Sequence, residues 1–162
     1  MRRRPLALFA LVTLVVSLSA IATAPAARVR STIRMTTTET ALLVEINRVR
    51  AEHGLVTLRV GPALQRAARS HTSEMLSSGS FAHGDFAGRM QRFGIRSFAG
   101  ENLAWGFGSS GTAPQLVGAW LGSPGHRANL LRERFRRIGV GASIGSFSGY
   151  DGAVVVTADF SG

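Results

Sequence analysis

The chain has 162 residues, about one domain in length, and its 45% hydrophobic and 17% charged residues are typical of a folded protein. It contains no cysteine, which excludes a disulfide framework, a thiolate metal site and a cysteine nucleophile. All nineteen basic residues are arginines, so lysine Schiff-base chemistry is also excluded. The net charge of +10 favours an anionic partner.

The N-terminus carries the pattern of a secretory signal peptide. Three arginines follow the first methionine, and an uncharged run extends from Pro5 to Ala27. Its strongly apolar part is of signal-peptide length and is short for a membrane span. Ala20-Ile21-Ala22 fits the cleavage pattern, so we predict a signal peptide over 1–22, a flexible spacer over 23–36 and a secreted protein. The alternative is a protein anchored by an uncleaved N-terminal helix.

Helices are predicted first along the remaining chain. They begin at a Thr36–Glu39 capping box, at Gly61-Pro62, at Phe86, at Pro114 and at Ser123-Pro124. The first three end at glycines, which favour the left-handed conformation after a helix. Apolar side chains at helical spacing predict the core positions Leu42, Leu43, Ile46, Val49, Leu64, Ala67, Ala68, Met75, Leu116, Val117, Trp120 and Leu121.

Strands are predicted near the C-terminus. Leu55–Val60 is a short extended link, and Gly100–Gly111 is a glycine-rich segment to which no strand is assigned. Ile138–Ala142 and Ala153–Phe160 are predicted strands, separated by a turn region over Gly145–Gly152. Helices followed by an antiparallel hairpin predict an α+β fold.

Three segments place a titratable residue among glycines and apolar residues. They contain His83, Glu101 and His126, a set of two imidazoles and one carboxylate that suits a divalent metal such as zinc. Glu101 is a candidate ligand, a candidate for orienting a histidine, or a candidate partner for His126 as a general base. The alternative is a buried hydrogen-bonded network that maintains the shape of a cleft.

Other polar residues have simpler interpretations. Ser123 before Pro124 is expected to be a helix N-cap rather than a nucleophile, because the chain has no Gly-x-Ser-x-Gly elbow. His71 lies on an apolar helical stripe and is expected to pack in the core. Asp85 is expected to cap the third helix. Asn102 and Asn129 are expected to bond to the backbone.

A basic cluster follows the last predicted helix. It consists of Arg132, Arg134, Arg136 and Arg137, with only Glu133 of opposite charge among them. Its interpretation is either a solvated face or a surface for an anionic wall polymer or lipid headgroup. Nucleic acid is not expected, because no groove-reading motif is visible and export removes the usual encounter.

The motifs Phe-Ala-His, Gly-Glu-Asn-Leu-Ala and Trp-Leu-Gly-Ser-Pro-Gly-His-Arg-Ala-Asn-Leu-Leu occur in this order. With Phe135–Gly141 and Thr157-Ala158-Asp159-Phe160 they resemble the CAP superfamily of cysteine-rich secretory, antigen 5 and pathogenesis-related proteins. The cysteine-free form is similar to the bacterial secreted, SCP-like branch. The resemblance implies a CAP domain over 37–162, an α-β-α sandwich with a central cleft.

The family's cleft holds two histidines and two glutamates. The resemblance matches His83, Glu101 and His126 to three of them, and Ser123 stands where the second glutamate is usual. It therefore implies a ligand site of these four residues and a metal site of His83, His126 and Glu101, with zinc as the candidate cofactor. Glu101 and His126 are the candidate catalytic residues, although catalysis is not favoured.

The function implied is a secreted bacterial protein whose cleft binds a divalent metal or a small or lipid-like ligand at the envelope or outside the cell. The alternatives are a metal-dependent envelope hydrolase and a non-catalytic interaction module that uses the arginine-rich face.

Overall fold

A computed structural model describes residues 33–162, so the predicted signal peptide and most of the predicted spacer lie outside the described residues. The helices are α1 (Thr37–Glu52), α2 (Pro62–Ser78), α3 (Phe86–Arg92), α4 (Ala113–Leu121) and α5 (Pro124–Leu130), with a short 3-10 helix over Gly108–Gly111. The strands are β1 (Arg59–Val60), β2 (Ala99–Gly106), β3 (Arg137–Phe147) and β4 (Tyr150–Ser161). The predicted α+β class is confirmed.

The four strands form one sheet in the order β1-β3-β4-β2. β1 pairs with β3 in parallel, and the other two pairs are antiparallel. The C-terminal hairpin is present, and its turn lies within the predicted region Gly145–Gly152 but is shorter than predicted. β3 continues to Phe147, and the turn itself is Ser148-Gly149, whose φ angles are 52° and 85°. Two left-handed residues suit a tight hairpin whose twist matches its strands.

The glycine-rich segment, for which the sequence predicts no strand, contains most of β2. Its glycines mark close approaches between elements instead of chain reversals. A Cβ at Gly100 would lie 2.9 Å from the side-chain oxygen of Asn129, and one at Gly106 would lie 2.5 Å from the carbonyl oxygen of Ser110. Glycine composition therefore obscured an edge strand.

Helices cover both faces of the sheet, as the predicted sandwich requires. Alternate residues of β4 separate the two layers: Val156, Ala158 and Phe160 join the cluster formed with α1, α4 and α5. On the opposite face Val155 packs with Met75 of α2, and Thr157 accepts a hydrogen bond from Thr72 of α2. The side chains of Glu101 and Asp159 lie on this α2 face, because they follow the same alternation.

Two glycines of β3 allow α2 to lie directly on the sheet. A Cβ at Gly139 would overlap the backbone of Leu64, and a Cβ at Gly141 would be 2.5 Å from the carbonyl oxygen of Ala68. This contact sets the distance between α2 and the sheet. It thereby also positions the segment that follows α2, which contributes to the site.

The capping box predicted at the start of α1 and most of the predicted core positions are confirmed. The Thr36–Glu39 capping box is formed, and Met35 before it packs against the main apolar cluster. Of the predicted core residues all are buried except Leu43 and Leu121, which are partly buried.

At both edges of the sheet, side chains form hydrogen bonds with backbone groups that point away from the neighbouring strand. At β2 the indole N–H of Trp120 donates to the carbonyl of Leu103 at 2.7 Å, and the Asn129 amide donates to the carbonyl of Glu101 at 3.1 Å. On β3, beyond the two residues of β1, the Gln65 amide oxygen accepts from the backbone N–H of Val140 at 2.9 Å. The edges therefore have side-chain partners in place of further strands. Within residues 33–162, no helix has both the length and the apolar character needed to span a bilayer.

Candidate functional site

A cleft of about 460 Å³ lies at the β2 edge, where the two helical layers meet. Its walls come from β2, α4, the start of α5 and the segment after α2. The lining residues are Phe81, Leu103, Ala104, Trp105, Ser110, Gln115, Leu116, Ala119, Trp120, Ser123 and His126. The walls are mainly apolar, and the polar side chains among them are those of Ser110, Gln115, Ser123 and His126. A cleft of this size and lining suits a small organic ligand.

Glu101 is the centre of a charged cluster beside the cleft. Its side chain is buried, and its Oε1 accepts a hydrogen bond from Nδ1 of the exposed His83 at 2.7 Å. Its Oε2 accepts from the guanidinium of the buried Arg89. Arg89 also donates to the carbonyl oxygen of His83 at 3.3 Å, so it holds both partners. Because Nδ1 is turned to the carboxylate, Nε2 of His83 is left to face outward.

Asp159 lies opposite Glu101 on the neighbouring strand β4. It is fully buried, and neither of its carboxyl oxygens has a hydrogen-bond partner within the described part of the chain. Burial raises the pKa of Asp159 well above its usual range, the nearby Glu101 carboxylate raises it further, and Arg89 opposes them. These effects favour the protonated form of Asp159, while both oxygens of Glu101 accept hydrogen bonds from His83 and Arg89.

His126 approaches the cleft from α5, in the layer opposite α2. Burial lowers the pKa of His126, and the proximity of His83 lowers it further. Its backbone carbonyl accepts from the Asn102 amide at 2.9 Å, which ties the start of α5 to β2. The structure thus places His83 near His126, which lines the cleft, but it pairs Glu101 with His83 and not with His126. The prediction that Glu101 aligns His126 as a base finds no hydrogen bond to support it within residues 33–162.

The same contacts restrict how a metal ion could bind. Among the described residues, no group of three His, Asp or Glu side chains is arranged to hold a metal ion. Both oxygens of Glu101 already accept hydrogen bonds, and Oε1 orients the imidazole of His83. The contacts within residues 33–162 therefore present Glu101 as a partner of His83 and Arg89, not as a member of a three-residue metal-binding group.

The simpler interpretations mostly hold. His71 is buried, and its Nε2 lies 2.9 Å from the carbonyl oxygen of Ala82 and 4.0 Å from Glu101. Asp85 caps α3 by accepting from the backbone of Gly88. Ser123 occupies the N-cap position of α5, but its side chain makes no capping bond and lines the cleft.

Two residues of the cluster are not predicted from the sequence. The sequence analysis assigns no role to Arg89. It names Asp159 only as part of the motif Thr157-Ala158-Asp159-Phe160 and gives it no role of its own. A signal for Asp159 is present in Thr157, Asp159 and Ser161, which are polar at alternate positions of an otherwise apolar strand.

An aromatic strip extends from the mouth of the cleft. Phe81 and Trp105 line the cleft, and each meets the ring of Phe147 edge-on, with centroids 6.4 and 5.7 Å apart. Tyr150 follows Trp105 at 5.9 Å and stacks on Phe107 at 3.9 Å. Phe81, Phe107 and Tyr150 are more than 40% exposed, so the cleft opens onto an uncovered aromatic surface.

The basic cluster predicted after α5 is divided in two. Arg132 and Arg134 lie over the ring of Phe98, at 5.2 and 4.4 Å from its centre. Arg136 and Arg137 instead border hollows beside β1. The four arginines therefore do not form one continuous patch.

A three-layer α+β sandwich with a histidine-bearing cleft at the edge of its sheet is the architecture of a CAP domain. Residues 43–160 match the CAP family, described as the cysteine-rich secretory protein family, and the chain belongs to it.

Two relatives come from Bacillus subtilis strain 168. The uncharacterized protein YkwD is 37% identical over 101 residues, covering 59% of this chain and 38% of that protein. The uncharacterized membrane protein YlbC is 33% identical over 113 residues, covering 65% of this chain and 32% of that protein. This chain thus spans well under half the length of these relatives.

Solved structures share the fold. An extracellular protein with an SCP domain from Bacillus anthracis has a TM-score of 0.63 and 29% identity, covering 76% of this chain and 40% of that one. An outer surface protein from Borrelia burgdorferi has a TM-score of 0.66 and 21% identity, covering 80% of this chain and 95% of that one. The bacterial, SCP-like character of the domain is therefore confirmed.

Proposed function

We propose that this protein is an extracellular CAP-domain protein that binds a small, mainly apolar ligand in its cleft. The observation that carries the proposal is the cavity of about 460 Å³, whose mainly apolar walls include a few polar residues, among them Ser123 and His126. Pockets that bury a small ligand combine apolar walls with a few polar groups that fix its orientation. The lowered pKa of His126 keeps its imidazole neutral near pH 7. A neutral imidazole has one donor and one acceptor nitrogen, so it can form a hydrogen bond with a hydroxyl or carboxyl headgroup.

The aromatic strip supports a ligand with an extended apolar part. It continues from Trp105 at the cleft to Tyr150 and Phe107 outside, so a chain longer than the cleft would lie across these rings. Affinity should then rise with chain length beyond the length that fills the cleft, because each buried methylene contributes about 0.8 kcal/mol.

The test is displacement of a dansyl-labelled fatty acid by unlabelled fatty acids of increasing chain length. Ala119 lines the cleft and Ala51 is an exposed alanine of α1, so Ala119→Trp and Ala51→Trp form a matched pair. We expect Ala119→Trp to abolish binding and Ala51→Trp to preserve it. Equal binding by both variants, or no binding by the unmodified protein, would reject the cleft as the site.

The strip is tested separately with Tyr150→Ala. This variant should weaken the binding of long-chain acids while leaving short-chain acids unchanged. A uniform loss across all lengths would assign Tyr150 a structural role only.

A second candidate is divalent metal binding at His83 and His126. The supporting observation is the 2.7 Å bond from Nδ1 of His83 to Glu101, since metal-bound histidines commonly present one nitrogen to the metal and the other to a carboxylate. A zinc ion bound there would act as a Lewis acid, and a metal-dependent hydrolase would then need a base. Glu101 already accepts hydrogen bonds from His83 and Arg89, and no hydrogen bond within the described residues joins it to His126, so we favour the binding function over hydrolysis.

Calorimetry with zinc tests this candidate. The double variant His83→Gln/His126→Gln should lose zinc binding, whereas His53→Gln, a change of an exposed histidine away from the cleft, should retain it. Zinc binding that survives the double variant would reject the site.

Export by the predicted signal peptide is part of the proposal. Cleavage after Ala22 predicts that the protein in the culture medium begins at Thr23. Intact mass spectrometry of the medium tests it, and full-length chain in the membrane fraction would support the anchored alternative instead.

A further inference from the structure

A groove runs along the opposite edge of the sheet, beside β1. It consists of three adjoining hollows of about 340, 300 and 300 Å³. Arg136 borders the first and second hollows, and Arg137 borders the second and third. Arg59 lies in the middle hollow and Arg96 in the last. These three hollows are called the edge groove, and the shared arginines make it continuous.

The positive charge of the edge groove is not balanced within the chain. In the part of the chain that the structure describes, no ion pair involves Arg59, Arg96, Arg136 or Arg137. Of the described residues that line the groove, only Glu133 is acidic. Residues 1–32 include no aspartate or glutamate in their sequence, so they hold no counter-charge either. These four arginines are therefore not engaged in ion pairs within residues 33–162 and are available to an external anion.

The fold forces two of these arginines together. Arg59 and Arg137 are directly paired across β1 and β3, so their side chains leave the same face of the sheet. Like charges at directly opposed positions destabilise a strand pair. Arg50 adds a buried positive charge nearby, which donates to backbone carbonyls such as that of Leu130. Burial lowers the pKa of Arg50, and the proximity of Arg136 lowers it further.

The donor chemistry indicates which anion would fit. Guanidinium groups match phosphate oxygens in pairs, and the hydroxyls of Thr57 and Ser97 add donors in the second and third hollows. A tetrahedral phosphate accepts from several directions, whereas a planar carboxylate accepts mainly in one plane. Consecutive hollows with shared arginines suit a polymer with repeated phosphates. Among the described lining residues no Phe, Tyr or Trp is present, so the groove lacks the stacking surface that single-stranded nucleic acids use.

We propose that the edge groove binds an extended phosphate polymer without bases, with successive phosphates held by Arg136, Arg59 with Arg137, and Arg96. This site is separate from the cleft, because no residue that lines the three hollows also lines the cleft.

The test is the binding of labelled inorganic polyphosphate to the full chain, followed by fluorescence anisotropy at several salt concentrations. The test variant is Arg59→Gln/Arg137→Gln, and the control is Arg66→Gln/Arg127→Gln, which removes the same charge from exposed positions outside the groove. The test variant should bind about tenfold more weakly. In a plot of the logarithm of the binding constant against the logarithm of the salt concentration, its slope should be shallower by about one unit for each arginine removed. The control should change affinity by less than about twofold.

Thermal unfolding provides a second readout that also reports on folding. Without ligand, the test variant should melt at or above the temperature of the unmodified protein, because the opposed charges are gone. Polyphosphate should raise the melting temperature of the unmodified protein and of the control, but not of the test variant.

Three results would overturn the proposal. Equal losses of polyphosphate affinity in both double variants would show that binding depends on the net charge of the protein and not on the edge groove. Binding of polyglutamate as tight as that of polyphosphate would remove the preference for phosphate. Binding to phosphatidylglycerol vesicles without binding to polyphosphate would assign the groove to a membrane surface.

Discussion

Glu101 and Asp159 are directly paired across β2 and β4, and their carboxyl groups share the face that α2 covers. Two carboxylates close together in a buried setting oppose each other, which favours a proton on one of them. Burial and the Glu101 carboxylate raise the pKa of Asp159 well above its usual range, so the proton is favoured there. The arrangement leaves a single carboxylate to hold both Arg89 and His83.

Asp159→Asn should make the protein less sensitive to rising pH. The unfolded chain releases the Asp159 proton near pH 3.9, and the folded protein keeps it to a higher pH. Between these two values the folded state binds more protons, so the free energy of unfolding falls as the pH rises. Asparagine is neutral throughout and removes this contribution.

Urea unfolding at about pH 5 and about pH 8 measures the effect. The advantage of Asp159→Asn over the unmodified protein should be larger at the higher pH. Asp151→Asn, an exposed change on the same strand, is the control and should show no such trend. An Asp159→Asn variant whose deficit grows with pH would mean that Asp159 is ionised in the folded state.

Gly141→Ala should destabilise the protein by about 1–3 kcal/mol or more, because the added methyl group meets the backbone of α2 at Ala68. Gly118→Ala is the matched control: Gly118 lies in α4, and its added Cβ would meet nothing within 4 Å. The control should stabilise by about 0.5–1 kcal/mol through helix propensity. Chemical unfolding curves measure the free energy of unfolding of the two variants. Similar changes in both would mean that α2 does not lie directly on β3 as described.

Ile46→Ala should cost about 2–5 kcal/mol, since Ile46 is fully buried in the main cluster and its removal leaves a cavity. Val44 on the same helix is 62% exposed, and Val44→Ala should change the free energy of unfolding by less than about 0.5 kcal/mol. Leu42→Ala and Trp120→Ala should behave like Ile46→Ala. A loss below about 1 kcal/mol at any of these positions would remove that residue from the core.

Trp120→Phe should cost about 1–3 kcal/mol, because the change leaves the carbonyl of Leu103 without its indole donor in a buried setting. Trp105→Phe is the comparison: the Trp105 indole N–H makes no hydrogen bond within the described residues, so the loss there should be smaller. Equilibrium unfolding with fluorescence and circular dichroism measures both. Equal losses would show that ring size, and not the hydrogen bond, accounts for the effect.

The helices were predictable because their signals are local. The capping box at Thr36, Pro62 at the start of α2 and the apolar stripe around Ile46 each lie within a few turns of one helix. β2 is not predicted because the close contact that requires Gly100 is with the distant Asn129, which the local sequence does not display. Local composition therefore resembled a loop.

The sequence predicts which residues belong to the site better than it predicts which of them contact each other. His83, Glu101, His126 and Ser123 could be selected from motifs, and all lie in or beside the cleft. Which histidine faces Glu101 depends on the strand register and on the layer from which each histidine comes. The role of Asp159 depends on the same register, so neither could be deduced before the sheet order was known.

The side chains at the edges of the sheet have a consequence for association. An open strand edge recruits extended segments from other molecules, and this is the usual first step in amyloid-like polymerisation. Here Trp120 and Asn129 occupy acceptors on one edge, and Gln65 continues the pairing on the other beyond the two residues of β1. The apolar strand Ala153–Phe160 is thus enclosed between two neighbours, and a chain with no disulfide to lock it is protected from polymerising through its own most aggregation-prone sequence.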